Sequence, residues 1–214
     1  KINSKTKAIL LCNPCNPTGY VYSQEEIRNI ANLAKKNDLF IVVDEVYREF
    51  IYTDTKHFSI LEDEKFSENA ILIDSTSKRY SLCGARVGFI VSKNSEFIET
   101  CLKFALTRLS PPTLALIAAN HALNSREDYI KNVIKEYYNR REVIINELSQ
   151  IDNIKFSNPM GAFYSIIKLP IENAEDFAKF LLTDFSYKNQ SVMLSPASGF
   201  YSSETHGKDE LRIA

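Results

Sequence analysis

Three short polar segments of this chain carry side chains that could do chemistry, and each directly follows an apolar run. The segments are NPCNPTG from Asn13, DEVY from Asp44 and STSK from Ser75. They supply a carboxamide, a carboxylate, a phenol, a hydroxyl and an amine, and a guanidinium follows soon after: Asn16, Asp44, Tyr47, Ser75, Lys78 and Arg86. An amine with a lowered pKa attacks carbonyl carbons, so the set indicates covalent chemistry at a lysine.

Together these groups match what pyridoxal phosphate requires of a protein. A lysine holds the aldehyde as a Schiff base, and a carboxylate keeps the pyridine nitrogen protonated, which makes the ring an electron sink. A phenol and a carboxamide can donate to the phenolate oxygen of the ring. A hydroxyl and a guanidinium can bind the phosphate. Pyridoxal 5′-phosphate is therefore the cofactor that the sequence predicts, whereas no ligand spacing predicts a metal site.

The apolar runs before the polar segments predict the strands that position them. Residues 8–12 and 39–43 are continuously apolar, and residues 70–74 repeat the pattern up to Asp74, as in parallel strands buried on both faces. Ser23 and Glu26 form a capping box, which predicts a helix between the first two strands. Residues 87–91 follow too closely for a parallel crossover, so this strand is predicted to be antiparallel. Ligands bind outside the carboxyl ends of such sheets, where the polar segments would meet.

The second half of the chain predicts helices and then a change of period. Helical spacing runs over residues 97–106, 113–123 and 126–151; the second of these is apolar almost all round, as in a buried helix. Short apolar runs around 163–169, 192–194 and 211–214 then surround a helix capped by Asn173. We predict part of a large α/β domain over 1–124, a long connecting helix over 125–150 and a small α+β domain over 151–214.

Composition limits the possible classes of function. The 214 residues include 26 Lys and Arg against 27 Asp and Glu, a net charge of -1 that leaves no basic surface for nucleic acid. No apolar run approaches the roughly 18 residues of a membrane span. We therefore expect a cytoplasmic protein that acts on small molecules, with no nucleic-acid or membrane partner. The absence of an initiator Met and the strand-like end LRIA indicate a piece of a longer protein.

The polar segments also resemble those of a known family. NPCNPTG, DEVYREF and STSKRYSLCGARVG are similar, in order and spacing, to signature segments of the class I/II pyridoxal-phosphate-dependent aminotransferases of fold type I, which include the aspartate aminotransferases. GAFY at 161–164 and the terminal LRIA resemble segments of that family's small domain. The resemblance implies the C-terminal part of fold type I: an α/β layer with a mostly parallel, incomplete sheet between helices on both faces, followed by a small α+β domain.

The resemblance implies a role for each matching residue. Lys78 is similar to the Schiff-base lysine, which is also the general base, and Asp44 to the partner of the pyridine nitrogen. Tyr47 and Asn16 are similar to the donors to the phenolate oxygen. The other matches concern anions: Ser75 and Arg86 for the phosphate, and Arg212 with Asn16 for the substrate α-carboxylate. Apart from these matches, Arg108 lies just before the SPP segment and could reach a side-chain carboxylate across a subunit boundary.

By resemblance, the function is ping-pong transamination between an amino acid and a 2-oxo acid, in a homodimer. Arg108 favours aspartate and 2-oxoglutarate as the pair. The family's chains are roughly twice this long, so a phosphate-binding turn, a stacking aromatic ring and a tyrosine serving the neighbouring subunit would lie before residue 1. Three sheet strands would also be absent, which exposes a sheet edge. We expect the fragment alone to bind the cofactor weakly and to be inactive.

Other interpretations remain open. The same cofactor site supports a C–S β-lyase, and an aminotransferase-like domain can be the ligand sensor of a transcription regulator with a winged helix upstream. STSK fits an S-x-x-K motif without its SDN and KTG partners, and IVVDE resembles a metal-binding Walker strand. Taken singly, Asn16 could form a turn, Lys78 and Arg86 could be surface charges, Arg108 could end a helix, and Arg212 could face solvent.

The cysteine pattern favours no special chemistry. Cys12 and Cys15 form a C-x-x-C pair, but in a proline-rich turn rather than at the start of a helix. Reduced thiols are therefore expected, and the three histidines, which lack ligand spacing, are expected to be structural.

Overall fold

The computed structural model describes residues 2–124 and 127–214, so the predicted start of the long helix at residue 125 lies outside the described part. The first sheet has the order β1-β2-β3-β4 and consists of β1 (Ala8–Cys12), β2 (Phe40–Asp44), β3 (Ala70–Ser75) and β4 (Gly88–Val91). β2 pairs in parallel with both β1 and β3, whereas β3 and β4 are antiparallel. The predicted strands and their directions are confirmed.

Helix α1 (Gln24–Lys36) makes the crossover between β1 and β2. Its first turn is closed by the predicted capping box, since the Ser23 hydroxyl accepts from the Glu26 amide at 3.2 Å and the Glu26 carboxylate accepts from the Ser23 amide at 2.8 Å. One face of the helix is fully buried against β2 in a common apolar cluster: Ile27, Ala31, Ala34, Ile41 and Val43. This packing fixes the strand ends that carry the polar segments.

Four further helices follow: α2 (Thr76–Arg79), α3 (Ser95–Arg108), α4 (Thr113–Leu123) and α5 (Glu127–Leu148). The expectation that residues 113–123 form a buried helix is wrong. Leu114 is 81% exposed and Ile117 is 60% exposed, and Ala119 is the buried residue of α4. An apolar composition identifies a surface that needs a partner, but the described chain does not cover this one.

The second sheet has the order β5-β6-β8-β7, with every pairing antiparallel: β5 (Lys155–Phe156), β6 (Ser165–Lys168), β7 (Ser195–Pro196) and β8 (Glu210–Ile213). Helix α6 (Ala174–Thr183) lies between β6 and β7 in the sequence, and the Asn173 side chain caps it as predicted, accepting from the Glu175 amide at 2.9 Å. The apolar run at 192–194 precedes β7 rather than forming a strand.

The two sheets are joined by a shared aromatic cluster and by a glycine crossing. The cluster contains residues from the loop after β2, from α5 and from the segment before β6, among them Tyr47, Phe50, Tyr52, Val133, Ile134, Tyr137, Ala162, Phe163 and Tyr164. Nearby, the Gly19 carbonyl accepts from the amides of Met160 and Gly161 at 2.8 and 2.9 Å. Gly19 has a φ of +71°, and a Cβ there would lie 2.7 Å from the Tyr164 carbonyl oxygen, so only glycine fits. The three-part domain division stays a prediction.

The first sheet has two unpaired edges within the described chain. Among the described residues β1 and β4 are the outer strands of the first sheet, in line with the expected open sheet edge. Leu10 on β1 is 72% exposed, so one face of this strand is also uncovered. No helix within 2–124 or 127–214 combines the length and apolar character that a membrane crossing needs.

Candidate active site

The three polar segments meet at one edge of the first sheet. Cys12 and Ile73 are the partners of Asp44 on the neighbouring strands, so β1 and β2 end level with each other and β3 continues for two more residues on the same side, to Ser75. Two loop hydrogen bonds continue this alignment: the Asn13 amide donates to the Asp44 carbonyl, and the Glu45 amide donates to the Ile73 carbonyl, both at 2.9 Å. The predicted meeting of the segments is confirmed at the level of the backbone.

Lys78 projects from the single-turn helix α2 toward aromatic rings. Its Nζ lies 6.0 Å from the ring centroid of Tyr47 and 6.0 Å from that of Phe163. Ser75 starts α2 by accepting from the Ser77 amide at 3.1 Å, which sets the direction of the helix. The amine therefore faces the DEVY segment rather than the bulk surface, and Phe163, which sequence reasoning missed, forms part of its environment.

Tyr47 is the most enclosed of the predicted site residues. The side chain is packed edge-on against Phe163 and Tyr164, and its hydroxyl lies 2.9 Å from the Tyr164 hydroxyl. Burial raises the pKa of the Tyr47 phenol well above its usual range, and the hydrogen bond to Tyr164 adds to this. Tyr47 is therefore a neutral hydrogen-bond donor at any physiological pH.

Asp44 is a half-buried carboxylate at the end of β2. Its Oδ1 accepts from the Val46 amide at 3.2 Å. Burial raises the pKa of Asp44, the Val46 bond opposes the shift, and the nearby carboxylates of Asp74 and Glu45 add to it. A cationic group placed opposite this carboxylate would relieve its cost of ionisation.

Arg212 connects the second sheet to the first. Its Nη1 donates to the Asn16 side-chain oxygen at 3.0 Å. The guanidinium carbon lies 4.7 Å from the ring centroid of Tyr164 and 5.2 Å from that of Phe200. Its Nε is buried and without a hydrogen-bond partner among the described residues. The structure thus brings together two residues, 196 positions apart, that the sequence singled out separately.

Ser75, Arg86 and Arg108 are not drawn into these contacts. The Ser75 hydroxyl is engaged with the Ser77 hydroxyl and the Val87 carbonyl, at 2.8 and 3.1 Å. Arg86 is exposed, has a φ of +57°, and donates to the Cys83 carbonyl at 3.0 Å. Arg108, also exposed, ends α3 and lines an open groove of about 650 Å³ together with Arg86. Their proposed anion-binding roles stay predictions.

A buried ionic cluster that sequence reasoning missed lies directly behind Lys78. Arg79 Nη2 contacts both carboxylate oxygens of Asp74, at 3.2 and 2.9 Å, and Arg79 Nε lies 2.6 Å from Glu49. Arg48 also reaches Asp74, at 3.4 Å. Neighbouring positions of a helix point in different directions, so Arg79 anchors α2 on the side away from Lys78. The only feature of the sequence that pointed to this cluster is the second cation, Arg79, directly after Lys78.

A second buried carboxylate, Glu45, is enclosed next to Asp44. Its oxygens accept from the Ser59 hydroxyl at 3.0 Å and the Ile60 amide at 3.2 Å, and the His57 ring lies 2.9 Å away. The expectation of a structural histidine holds for His57, which ties the loop before residue 60 to the end of β2.

The thiols show no sign of redox chemistry. All four cysteines are free. Burial raises the pKa of the Cys12 thiol to about 12, whereas a reactive cysteine needs a lowered pKa. Within the described residues no cluster of three or more His, Cys, Asp or Glu side chains is arranged to hold a metal ion.

The environments of Lys78, Tyr47 and Asp44 in the structure fit pyridoxal phosphate. A lysine amine beside aromatic rings, a neutral phenol and a half-buried carboxylate with no ion-pair partner in the described part of the chain are complementary to an aldehyde, a phenolate oxygen and a protonated ring nitrogen. With the mostly parallel sheet, they have the character of a fold type I pyridoxal-phosphate-dependent transferase.

Comparison with known proteins agrees. The family model "Aminotransferase class I and II" matches residues 1–214. An aspartate aminotransferase of Bacillus sp. (strain YM-2) is 35% identical over 208 residues, which cover 93% of this chain and 52% of that protein. A (5-formylfuran-3-yl)methyl phosphate transaminase of Methanocaldococcus jannaschii is 34% identical, covering 100% of this chain and 54% of that protein. The solved structure of an aromatic aminotransferase from Pyrococcus horikoshii superposes with a TM-score of 0.86 at 30% identity, covering 100% and 56%.

The chain belongs to the class I and II aminotransferase family, whose cofactor is pyridoxal 5′-phosphate. It spans about half the length of the curated relatives that it matches. Those relatives carry the names of different substrates, so the family membership leaves the amino donor open.

Proposed function

We propose that the full-length protein is a pyridoxal-phosphate-dependent aminotransferase that exchanges an amino group between an amino acid and a 2-oxo acid. One observation carries this proposal: a continuous set of contacts runs from Lys78 through Tyr47 and Tyr164 to Arg212 and Asn16. These contacts join the amine that would hold the cofactor to a guanidinium whose Nε has no hydrogen-bond partner among the described residues. An α-amino acid could then react at its amino end and bind through its carboxylate end.

In this proposal, Lys78 is both the covalent anchor of the cofactor and the general base. Its Nζ accepts the proton from the substrate Cα once the substrate amine has displaced it. Tyr47 donates a hydrogen bond toward the cofactor's phenolate oxygen, and Asn16 assists from the turn after β1. Because Tyr47 stays neutral, it can donate throughout the working pH range.

Asp44 holds a positive charge on the pyridine nitrogen in the same proposal. When bound, the cofactor supplies an electron-accepting ring that stabilises negative charge at the substrate Cα. The half-buried carboxylate supports this role because a cationic partner would lower its raised pKa. Ser75 and Arg86 bind the phosphate, and Arg86 is free to do so because its guanidinium is exposed.

We propose that Arg212 binds the α-carboxylate of the substrate. Its Nη1 is held by Asn16 and its Nε has no partner within the described chain. In a guanidinium, Nε and Nη2 share one edge, which can bind a carboxylate through two parallel hydrogen bonds. Aspartate with 2-oxoglutarate is the proposed substrate pair, supported by the exposed Arg108 and by the aspartate aminotransferases among the relatives.

The proposed assembly is a homodimer of full-length chains, in which Arg108 serves the partner's site. Large apolar side chains along α3 and α4 are exposed, as a surface that meets a second copy would be: Leu102, Phe104, Leu106, Leu109 and Leu114. A cytoplasmic location is proposed as well, because four free thiols suit a reducing compartment.

The decisive experiment is to incubate the full-length protein with pyridoxal phosphate, reduce with borohydride and locate the modified peptide by mass spectrometry. We expect one cofactor adduct, on Lys78. Modification of another lysine, or none, contradicts the proposal. Product analysis with aspartate and 2-oxoglutarate should then give glutamate and oxaloacetate, whereas pyruvate and ammonia from cysteine-like substrates would identify a β-lyase instead.

A further inference from the structure

We propose that Tyr164 is a positioning residue that couples the two ends of the site: its hydroxyl orients the phenol of Tyr47, and its ring supports Arg212. This inference rests on the proposed function, since it concerns how Tyr47 meets the cofactor and how Arg212 meets the substrate. Tyr164 precedes β6 in the second sheet, so it acts on Tyr47 across the junction between the sheets.

The first contact is a pair of phenols that share one hydrogen bond. The two hydroxyl oxygens are 2.9 Å apart, and both side chains are buried, with 4% of Tyr47 and 8% of Tyr164 exposed. Each phenol has one proton to donate. If Tyr47 gives its proton to Tyr164, none is left for the site; if Tyr164 donates, the proton of Tyr47 is free to point into the site.

A bound anion decides between these arrangements. A phenolate oxygen next to Tyr47 draws that residue's proton, because hydrogen bonds to charged acceptors are stronger than those between neutral groups. Tyr164 then donates to the oxygen of Tyr47, and the two bonds in series strengthen each other. Tyr164 thereby makes Tyr47 a better donor without touching the cofactor.

The second contact is between the Tyr164 ring and Arg212. The guanidinium carbon lies 4.7 Å from the ring centroid, and Phe200 lies on the same guanidinium at 5.2 Å. A cation over an aromatic ring is attracted to its face, and two rings restrict the tilt of the planar group. With Nη1 held by Asn16, these contacts direct the Nε edge of Arg212 at a carboxylate.

Two variants separate the two contacts. Tyr164→Phe removes the hydroxyl and keeps the ring, whereas Tyr164→Leu removes both. Tyr52→Phe is the matched control, because the Tyr52 hydroxyl donates to the Ala162 carbonyl at 2.5 Å in the same aromatic cluster but outside the chain of contacts to Lys78. All three are made in the full-length protein and loaded with pyridoxal phosphate.

The first readout is the pH midpoint at which the absorbance of the cofactor on Lys78 changes. A stronger donor to the phenolate oxygen would stabilise the cofactor's deprotonated form, and would therefore lower the midpoint. We expect Tyr164→Phe to raise the midpoint by about 0.5 to 1 pH unit, and Tyr52→Phe to leave it unchanged. Equal midpoints in Tyr164→Phe and wild type, or an equal shift in Tyr52→Phe, overturn the inference.

The second readout is the KM for the amino donor. We expect Tyr164→Leu to raise it by roughly 10-fold and Tyr164→Phe to change it by less than about 2-fold. A Tyr164→Leu enzyme with an unchanged KM removes the ring's role, and Tyr164→Phe still tests the hydroxyl if Tyr164→Leu does not fold. If the proposed function itself is wrong, the result is distinguishable, because the wild-type protein would then show no absorbance from a cofactor bound to Lys78.

Discussion

The two ends of the candidate site differ in how much the chain itself fixes them. At the inner end, Tyr47 is packed among buried rings, Lys78 lies beside the Tyr47 ring on a helix that Arg79 anchors to Asp74, and Asp44 is half-buried at the end of β2. At the outer end, Arg86 and Arg108 are exposed and line an open groove beside the uncovered apolar face of α3. Packing within the described residues therefore restrains the inner end more than the two exposed arginines of the outer end.

This difference predicts where substitutions act. At the inner end, a change should disturb catalysis and folding together, because each side chain is part of a packed network. At the outer end, a change should affect ligand preference with little effect on stability, since exposed charges contribute little to folding.

The largest effect is expected at Lys78. Lys78→Ala removes the proposed nucleophile and general base, so the transamination rate of the full-length protein is expected to fall by at least about 1000-fold. Lys93→Ala is the control, because Lys93 forms an exposed ion pair with Glu64. Steady-state kinetics with a coupled oxo-acid assay measures both. A rate within 10-fold of wild type in Lys78→Ala would remove the proposed mechanism.

The next effect is on folding, at Arg79. Arg79→Met leaves the buried carboxylate of Asp74 and the partly buried carboxylate of Glu49 without their Arg79 partner, and breaking a buried ion pair in this way costs about 3 to 5 kcal/mol of unfolding free energy. Arg28→Met, which breaks the exposed pair with Asp63, should cost less than about 1 kcal/mol. Urea unfolding gives both values. Similar losses in the two variants would mean that the inner cluster is no more rigid than the surface.

A smaller and pH-dependent effect is expected at Asp44. Its pKa is higher in the folded chain than in the unfolded one, so Asp44 stabilises the fold at low pH and loses that contribution as the pH rises through its folded pKa. Cofactor-free Asp44→Asn should therefore melt above wild type at neutral pH, with a gain that shrinks on acidification. Cofactor affinity should meanwhile fall about 10- to 100-fold, because a charged hydrogen bond is lost.

Thermal melts across the pH range and a cofactor titration test this pair of outcomes. A variant that melts below wild type at neutral pH would show that the ionised carboxylate is already well compensated without the cofactor. Asp63→Asn provides the comparison, because Asp63 has an arginine partner and should lose stability on substitution.

The smallest effect on the fold is expected at the outer end. Arg108→Ala should change the unfolding free energy by less than about 0.5 kcal/mol, since the side chain is exposed at the end of α3. The preference of the full-length enzyme for aspartate over alanine should nevertheless fall several-fold. An unchanged ratio of kcat/KM values would mean that Arg108 does not select the substrate.

The sequence by itself determined the local elements and the family. Continuous apolar runs, the Ser23 capping box and the Asn173 cap are local patterns, so strands and helices followed from them with small shifts at their ends. The polar segments after those strands could be placed at one sheet edge because parallel strands all end on the same side.

Contacts between distant parts of the chain were decided only by the tertiary structure. The pairing of Asn16 with Arg212, the shared hydrogen bond of Tyr47 and Tyr164, and the anchoring of α2 through Arg79 all join residues whose types are unremarkable alone. The exposure of α4 was likewise invisible, since an apolar sequence states that a surface avoids water but not what covers it. Periodicity encodes the direction of a side chain relative to its own element, whereas its neighbours depend on how the sheets pack together.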